Sequence, residues 1–350
     1  MLAGGVTIVS FDPEPNRPPP SAPTSLWRRV LAWRPWRSRP SVLAVRMPRS
    51  RWGWALLAFV SLPVVYFVGG ALWIHQISDE ADFAPRGVAP GESQLVAAIA
   101  ALITREVDDH SWTPMHPWFL PSGLLDNMPN FQTGIVKASA RVTVELRDQL
   151  GRTRASSVLD KDLDAAASRL NAAPNVWFIE SSVSWLPTTP SSKQYRAGRD
   201  SLVAYNKRVG AGQAMFERRS DTLQALLQRM ANDIGAASAQ IDQHLTGHGG
   251  ALIDWHADNI FYANKGELYA YYIMLKAITA DFQALLQERG VTQPWQRMID
   301  TFRTAATMQP WVVINGRPDS QFLPSHLASQ GFYLLRARTQ LREIIDILQR

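Results

Sequence analysis

The 350-residue chain carries 36 basic and 30 acidic residues, a net charge of +6, and no cysteine. Without thiols, cysteine nucleophiles, Cys-type zinc sites and iron–sulfur ligation are excluded, and a chain of this length can hold a core without disulfides. The excess charge is local: residues 1–51 hold nine arginines and no lysine against Asp12 and Glu14, a net of +7, which leaves the remainder near neutral at −1. A near-neutral body argues against a nucleic-acid partner.

Pro13, Pro15, Pro18, Pro19, Pro20 and Pro23 make the first 24 residues read as disordered or polyproline-like. In 25–34, Leu26, Trp27, Val30 and Leu31 recur at helical spacing among arginines, ahead of Pro35. That segment reads either as a short helix on the inner leaflet, its guanidiniums among anionic lipid headgroups, or as a basic tail that only sets orientation.

Residues 52–74 contain no charge. A helix rises about 1.5 Å per residue, so they match the roughly 30 Å hydrocarbon core of a bilayer. Trp52 and Trp54 stand at one rim and Trp73 at the other, where amphipathic rings settle. Six arginines lie within the twenty residues before this span and only Arg86 within the twenty after it. The positive-inside bias therefore predicts a single-pass inner-membrane protein: a cytoplasmic Arg/Pro-rich tail over 1–51, a transmembrane helix over 52–74 and an extracytoplasmic, periplasmic domain over 76–350. A cleaved signal peptide is the competing reading, but its lead is ordinarily short and its apolar core about 7–15 residues.

The body is predicted to be all-α. Leu95, Val96, Ile99, Leu102 and Ile103 share one face of a helix over 93–107, and Ile135, Val142, Val144 and Leu146 continue one over 131–150. Pro114, Pro117, Pro121 and Pro129 mark an ordered loop or short turns between them. A shorter helix is expected over 160–170. Over 199–246, Leu202, Val209, Phe216, Leu223, Met230 and Ala237 fall seven apart. Unbroken, that helix would span about 70 Å, so it either protrudes or breaks near Gly210–Gly212 or Gly235, and a long helical hairpin packed on later helices is expected over a free coiled coil. Further helices are predicted over 267–289, 292–308 and 330–348. The runs 176–179 and 311–314 are the strand candidates, too few for a sheet-based fold.

Two segments carry a resemblance. Asp126-Asn127-Met128-Pro129-Asn130-Phe131-Gln132 and Gly331-Phe332-Tyr333-Leu334-Leu335-Arg336-Ala337-Arg338-Thr339-Gln340-Leu341-Arg342-Glu343 resemble the signature segments of domain-of-unknown-function family 2333, and Tyr271-Tyr272-Ile273-Met274-Leu275-Lys276 fits it as well. The resemblance covers about residues 110–350 and implies a bacterial envelope protein with one N-terminal span and a helical body. It brings no catalytic residues.

Candidate chemistry is sparse. His244 and His248 have the i, i+4 spacing that puts two imidazoles on one helix face, and His256 with Asp254 or Asp258 would complete a metal site only if the loop folded back. The plainer reading is structural or exposed histidines, with Asp258 or Asn259 capping a turn. Asp108-Asp109-His110 reads as a helix end, and Ser111 does not make it a triad. Arg336, Arg338 and Arg342 with Thr339 could hold an anion, although pairing with carboxylates on neighbouring helices is the expected use. Asn127 and Asn130 flank Met128-Pro129 as loop-holding amides. No phosphate loop, nucleophile elbow, dinucleotide-binding glycine pattern or His-Glu-x-x-His occurs, and no cofactor or metal is expected.

The leading expectation is a scaffold, adaptor or accessory subunit docking another envelope protein. The alternative is a cell-envelope hydrolase built on Asp108, Asp109, His110, Asp126 and His256, which requires those side chains to converge. A ligand sensor would need a partner for output.

Overall fold

The computed structural model describes residues 50–153, 160–179, 186–248, 255–310, 313–314, 316 and 325–350. The proline-rich start, the 25–34 segment, Trp311 and Val312 of the second strand candidate, and Asp254 lie outside these. Packing divides the chain into Met1–Leu57 and Ala58–Arg350. In the first unit, the described residues are Ser50 and the opening turns of helix α1. That helix, Arg51–Ile74, is the described one long and apolar enough to cross a membrane, and its apolar stretch is unburied.

In the second unit α1 is followed by α2 (Gln94–Thr104), a π turn (Arg105–Asp109), two short 3-10 turns (Thr113–Met115 and Pro121–Leu124) and α3 (Asn127–Thr153). Then come α4 (Lys161–Leu170), α5 (Ser191–Gly210), α6 (Ser220–His248), α7 (Trp255–Asp281), α8 (Gln283–Glu288), α9 (Thr292–Ala306) and α10 (His326–Gln349). The fold is all-α, with no strand among the described residues. Residues 176–179 form a loop; it turns back on itself through Thr188 N–H donating to the Phe178 carbonyl and Ser191 N–H to that of Val176, both at 2.9 Å.

The centre is the pair α3–α7, whose backbones approach closely. A Cβ added at Gly134 would lie 2.1 Å from the Ala263 carbonyl oxygen, and one at Gly266 would lie 2.0 Å from that of Phe131. The crossing buries Phe131 against Tyr269, with ring centroids 6.0 Å apart. Next to it, Lys137 and Arg141 of α3 pair with Glu267 of α7 and Asp233 of α6, and the Tyr271 hydroxyl donates to Asp233 at 2.7 Å. Removing buried charges from water is costly unless each is paired, so this set ties three helices in one register.

The sevenfold apolar row resolves into two helices. The chain leaves α5 at Gly210 and turns at Gly212, which takes φ +71°, a conformation open to glycine. Gly235 is not a break; it lies inside α6, where the Arg338 guanidinium crosses it so closely that an added Cβ would stand 2.9 Å from Cζ. The two arms pack chiefly on other helices: α5 on α4 and α2, α6 along α10 and on α3. Helix α7 starts twelve residues before the expected 267, because Ala257, Ile260 and Phe261 continue its buried face behind a polar opening.

The segment after α1 is bonded to the body. Lys265 pairs with Asp79 at 2.8 Å, the Tyr269 hydroxyl donates to the Glu80 carbonyl at 2.9 Å, and Lys276 donates to that of Ala81 at 2.7 Å.

Candidate functional site

Between the 78–92 segment, α2 and α5 lies a groove of about 820 Å³. Its floor is small, Ala97, Ala100 and Ala101, and its rim carries both signs of charge: Glu80, Asp82, Glu92 and Asp109 against Arg86 and Lys207. Helix α2 is fixed at its start by groups distant in sequence. Asp281, at the end of α7, accepts from the Ser93 hydroxyl at 2.8 Å and from the Gln94 and Leu95 amides at 3.0 and 2.9 Å. A carboxylate there satisfies amides that have no partner within the helix and opposes the positive end of its dipole. Asn206 of α5 then exchanges two hydrogen bonds with the backbone of Ser93.

At the other end α2 widens into the π turn, and Ser111 takes φ +63°, strained for a residue with a side chain. The buried Gln132 side chain holds this corner. Its oxygen accepts from the Thr113 amide and hydroxyl at 3.0 and 2.7 Å, and its nitrogen donates to the carbonyls of Glu106 and Ser111 at 3.0 and 2.9 Å. Arg105 is sandwiched between the rings of Phe83 and Tyr269, at 4.6 and 4.8 Å. Its Nε donates to the fully buried Glu106 at 2.8 Å and its Nη1 to the Tyr269 hydroxyl at 2.7 Å. Burial lifts the Tyr269 phenol to about 12, so it stays a neutral donor.

The five residues of the hydrolase alternative do not converge. Asp109 and His110 line the groove. Asp108 turns to Arg196 and Arg199 of α5; partial burial is outweighed by these two guanidiniums, which hold its carboxyl below the ordinary carboxylate range. Asp126 belongs to a cluster where α3 and α7 begin. There the Asn127 amide bridges Asp126 and Asp258, and Asn130 donates to Asn259 at 2.8 Å. Burial first, and then the Asp126 charge, push the Asp258 carboxyl up to about 6. The two asparagines stand in the first turn of α3, not in a loop, and hold α3 to α7.

The chain does fold back to bring His256 to His244, with ring centroids 5.3 Å apart. Among the described residues, however, no group of three histidine, aspartate or glutamate side chains is placed to hold a metal. The arginines of α10 have different surroundings. Arg336 and Arg342 are exposed, whereas Arg338 lies over Gly235 with its Nε buried and without a hydrogen-bond partner among the described residues. The expected carboxylate partner for Arg338 is therefore not met at that nitrogen. Thr339 spends its hydroxyl on the Leu335 carbonyl. Trp52, Trp54 and Trp73 are all exposed on α1.

A family model described as an uncharacterized protein conserved in bacteria (DUF2333) matches residues 115–249 and 251–350. The chain belongs to this family. No curated protein and no solved structure matches it. The DUF2333 match takes in the α3–α7 crossing, the Asp126–Asp258 cluster and the α6–α10 pair, while α1, α2 and the 78–92 side of the groove precede it.

Sequence reasoning passed over Gln132, Asn206, Asp281 and the Arg105–Glu106 pair. Only Glu106 left a trace: it falls on the row Leu95, Ile99, Leu102 of α2, a charge on an apolar face, which calls for a buried partner.

Proposed function

We propose that this DUF2333 protein is a membrane-anchored accessory subunit of the bacterial envelope that works by binding rather than by chemistry. Helix α1 is its anchor, and the arginine bias puts the tail in the cytoplasm and the body in the periplasm. The occupant of the groove is an extended segment of a partner protein bearing both signs of charge. The observation that carries this reading is the groove itself, with its alanine floor, its mixed-sign rim and its fixed walls. Small floor residues leave room for a backbone to lie close, and opposed rim charges select register and partner.

The test is crosslinking and affinity purification of the full-length protein from membranes, beside an Ala101→Trp variant that fills the groove. Enrichment of one envelope component by the native protein and its loss in the variant is the expected result. Equal recovery with both would remove the groove from the proposal, and recovery of the bait alone would count against the adaptor role. The hydrolase alternative on Asp108, Asp109, His110, Asp126 and His256 fails for want of convergence; a smaller carboxylate site at Asp126 and Asp258, whose carboxyl is raised, is what is left of it. Hydrolysis of envelope material that disappears in a folded Asp258→Asn variant would decide for it.

A further inference from the structure

Helix α1 does not separate cleanly from the body. Its last turns present Phe67, Gly70, Ala71 and Ile74 as a partly covered stripe at helical spacing. Against it lies the loop that ends in the Pro121–Leu124 turn. The Tyr66 hydroxyl donates to the Phe119 carbonyl at 3.4 Å, and a Cβ added at Gly70 would stand 2.5 Å from the Pro121 ring. At about 1.5 Å per residue, Gly70 and Tyr66 are roughly 6 and 12 Å back along the apolar helix from its end at Ile74. A loop that touches α1 at those levels reaches from the headgroup boundary into the acyl region, to and slightly beyond the about 5–10 Å at which interfacial segments lie.

The loop has the composition for that depth. Trp118 is 78% exposed and Leu124 64%. It is also stiff: His116 Nδ1 and the Ser122 hydroxyl share a hydrogen bond of 2.5 Å, and the Leu120 and Gly123 amides close successive turns at 3.0 and 2.9 Å. The ring of Trp177 packs edge-on against Phe119 at 5.6 Å, bringing the 176–179 loop alongside. That loop adds Phe178 and Ile179, each about half exposed. Large apolar side chains grouped on a surface mark an interaction site, and this group is continuous with the surface of α1 that would meet lipid.

We infer that the loops at 117–124 and 176–179 form a membrane-inserted wedge, seated in the leaflet on the body's side of the bilayer beside α1. This rests on the anchor reading of α1. The occupant is lipid: the patch abuts a helix whose own surroundings there are acyl chains, and Trp118 with Tyr66 of α1 suits an interfacial aromatic belt.

The absence of cysteine makes the test direct. Single cysteines replace Trp118, Leu124 and Phe178 in the full-length protein, with Phe59→Cys inside the span and Phe332→Cys, an exposed apolar site on α10, as references. Each is labelled with an environment-sensitive fluorophore and reconstituted into phosphatidylcholine–phosphatidylglycerol vesicles with or without brominated acyl chains. The expected result is quenching at 118, 124 and 178 within about twofold of that at 59, with little at 332. Quenching at 59 with none at 118, 124 and 178 would overturn the wedge and leave the anchor standing. Absence of quenching at 59 would overturn both. Equal quenching at 332 would show general adsorption to the surface and overturn the wedge.

Discussion

Gly134→Ala separates two physical effects that have opposite signs. Within a helix, alanine is favoured over glycine by about 1 kcal/mol, so local propensity alone predicts a more stable protein. At this position the new methyl would lie 2.1 Å from the Ala263 carbonyl oxygen and 2.8 Å from the Glu267 amide nitrogen. Ordinary contact begins near 3.4 Å, so α3 and α7 must part by about 1.3 Å at their crossing. A gap of 0.5–1 Å already forfeits about a quarter to a half of each dispersion contact, and overpacking costs about 1–3 kcal/mol, occasionally more. The same movement pulls on the Lys137–Glu267 pair, in which Glu267 is buried. We expect a gross cost of about 4 kcal/mol and a net loss of about 3 after the propensity gain. For a body of this size that lowers Tm by about 6–10 °C. Thermal and urea unfolding of the detergent-solubilised full-length protein, followed by far-ultraviolet circular dichroism, measures it. An alanine variant as stable as the native protein, or more so, would refute the close crossing as the organising contact of the fold.

Two further outcomes follow from the buried charges. Asp258 titrates near 6 in the folded protein, above its value in an unfolded chain. Its proton is therefore held more tightly when folded, and stability fully present below about pH 4 is lost as pH rises through 6. Discounted for its partly exposed setting, the effect is about 1–2 kcal/mol. Asp258→Asn, which keeps an acceptor for Asn127, should match the native protein at pH 4 and exceed it by that amount at pH 7.5, and parallel pH profiles for the two would contradict the assignment. Arg105→Ala leaves Glu106 buried without its principal counter-ion and should cost about 3–5 kcal/mol. Adding Glu106→Leu to it should recover most of the loss, and a double variant no better than the single one would show that the guanidinium acts through its ring contacts instead.

Much of the architecture was readable because it repeats. The charge-free run became α1, and the apolar rows of α2, α9 and α10 lie on buried faces of helices close to those expected. The shorter helix expected over 160–170 became α4, and Asp160 caps it by accepting from the Asp162 and Leu163 amides. What periodicity did not carry is what side chains settle one at a time. The opening of α7 reads as polar because Asn259, Asn264 and Lys265 are answered by partners on other segments: Asn130, Gln330 and Asp79. The groove was not legible because its walls come from α2, α5 and the 78–92 segment, and the groups that set them, Asp281 and Asn206, are more than a hundred residues from Ser93. Residues 176–179 have strand composition but no neighbouring strand to pair with among the described residues. The Asp108–His110 run that the hydrolase alternative used does not act as one group, because successive residues of a helical turn point in different directions: Asp108 faces Arg196 and Arg199, and the other two line the groove.

The bonding of residues 79–83 to α7 also sets how far the body can travel. A free chain from Ile74 to the start of α2 at Gln94 would extend about 65 Å, enough for a domain to roam in search of a target. With Asp79 already held by Lys265 and Gln309, the Gln76 amide on the Met128 sulfur and Ile77 packed on the core, almost no slack is left between α1 and the body. With α1 in a bilayer, this protein meets its neighbours by drifting laterally with its groove at a fixed height. On the proposed function, a partner must offer its segment at that height, and a longer chain between α1 and Asp79 would alter which encounters succeed without altering a single contact surface.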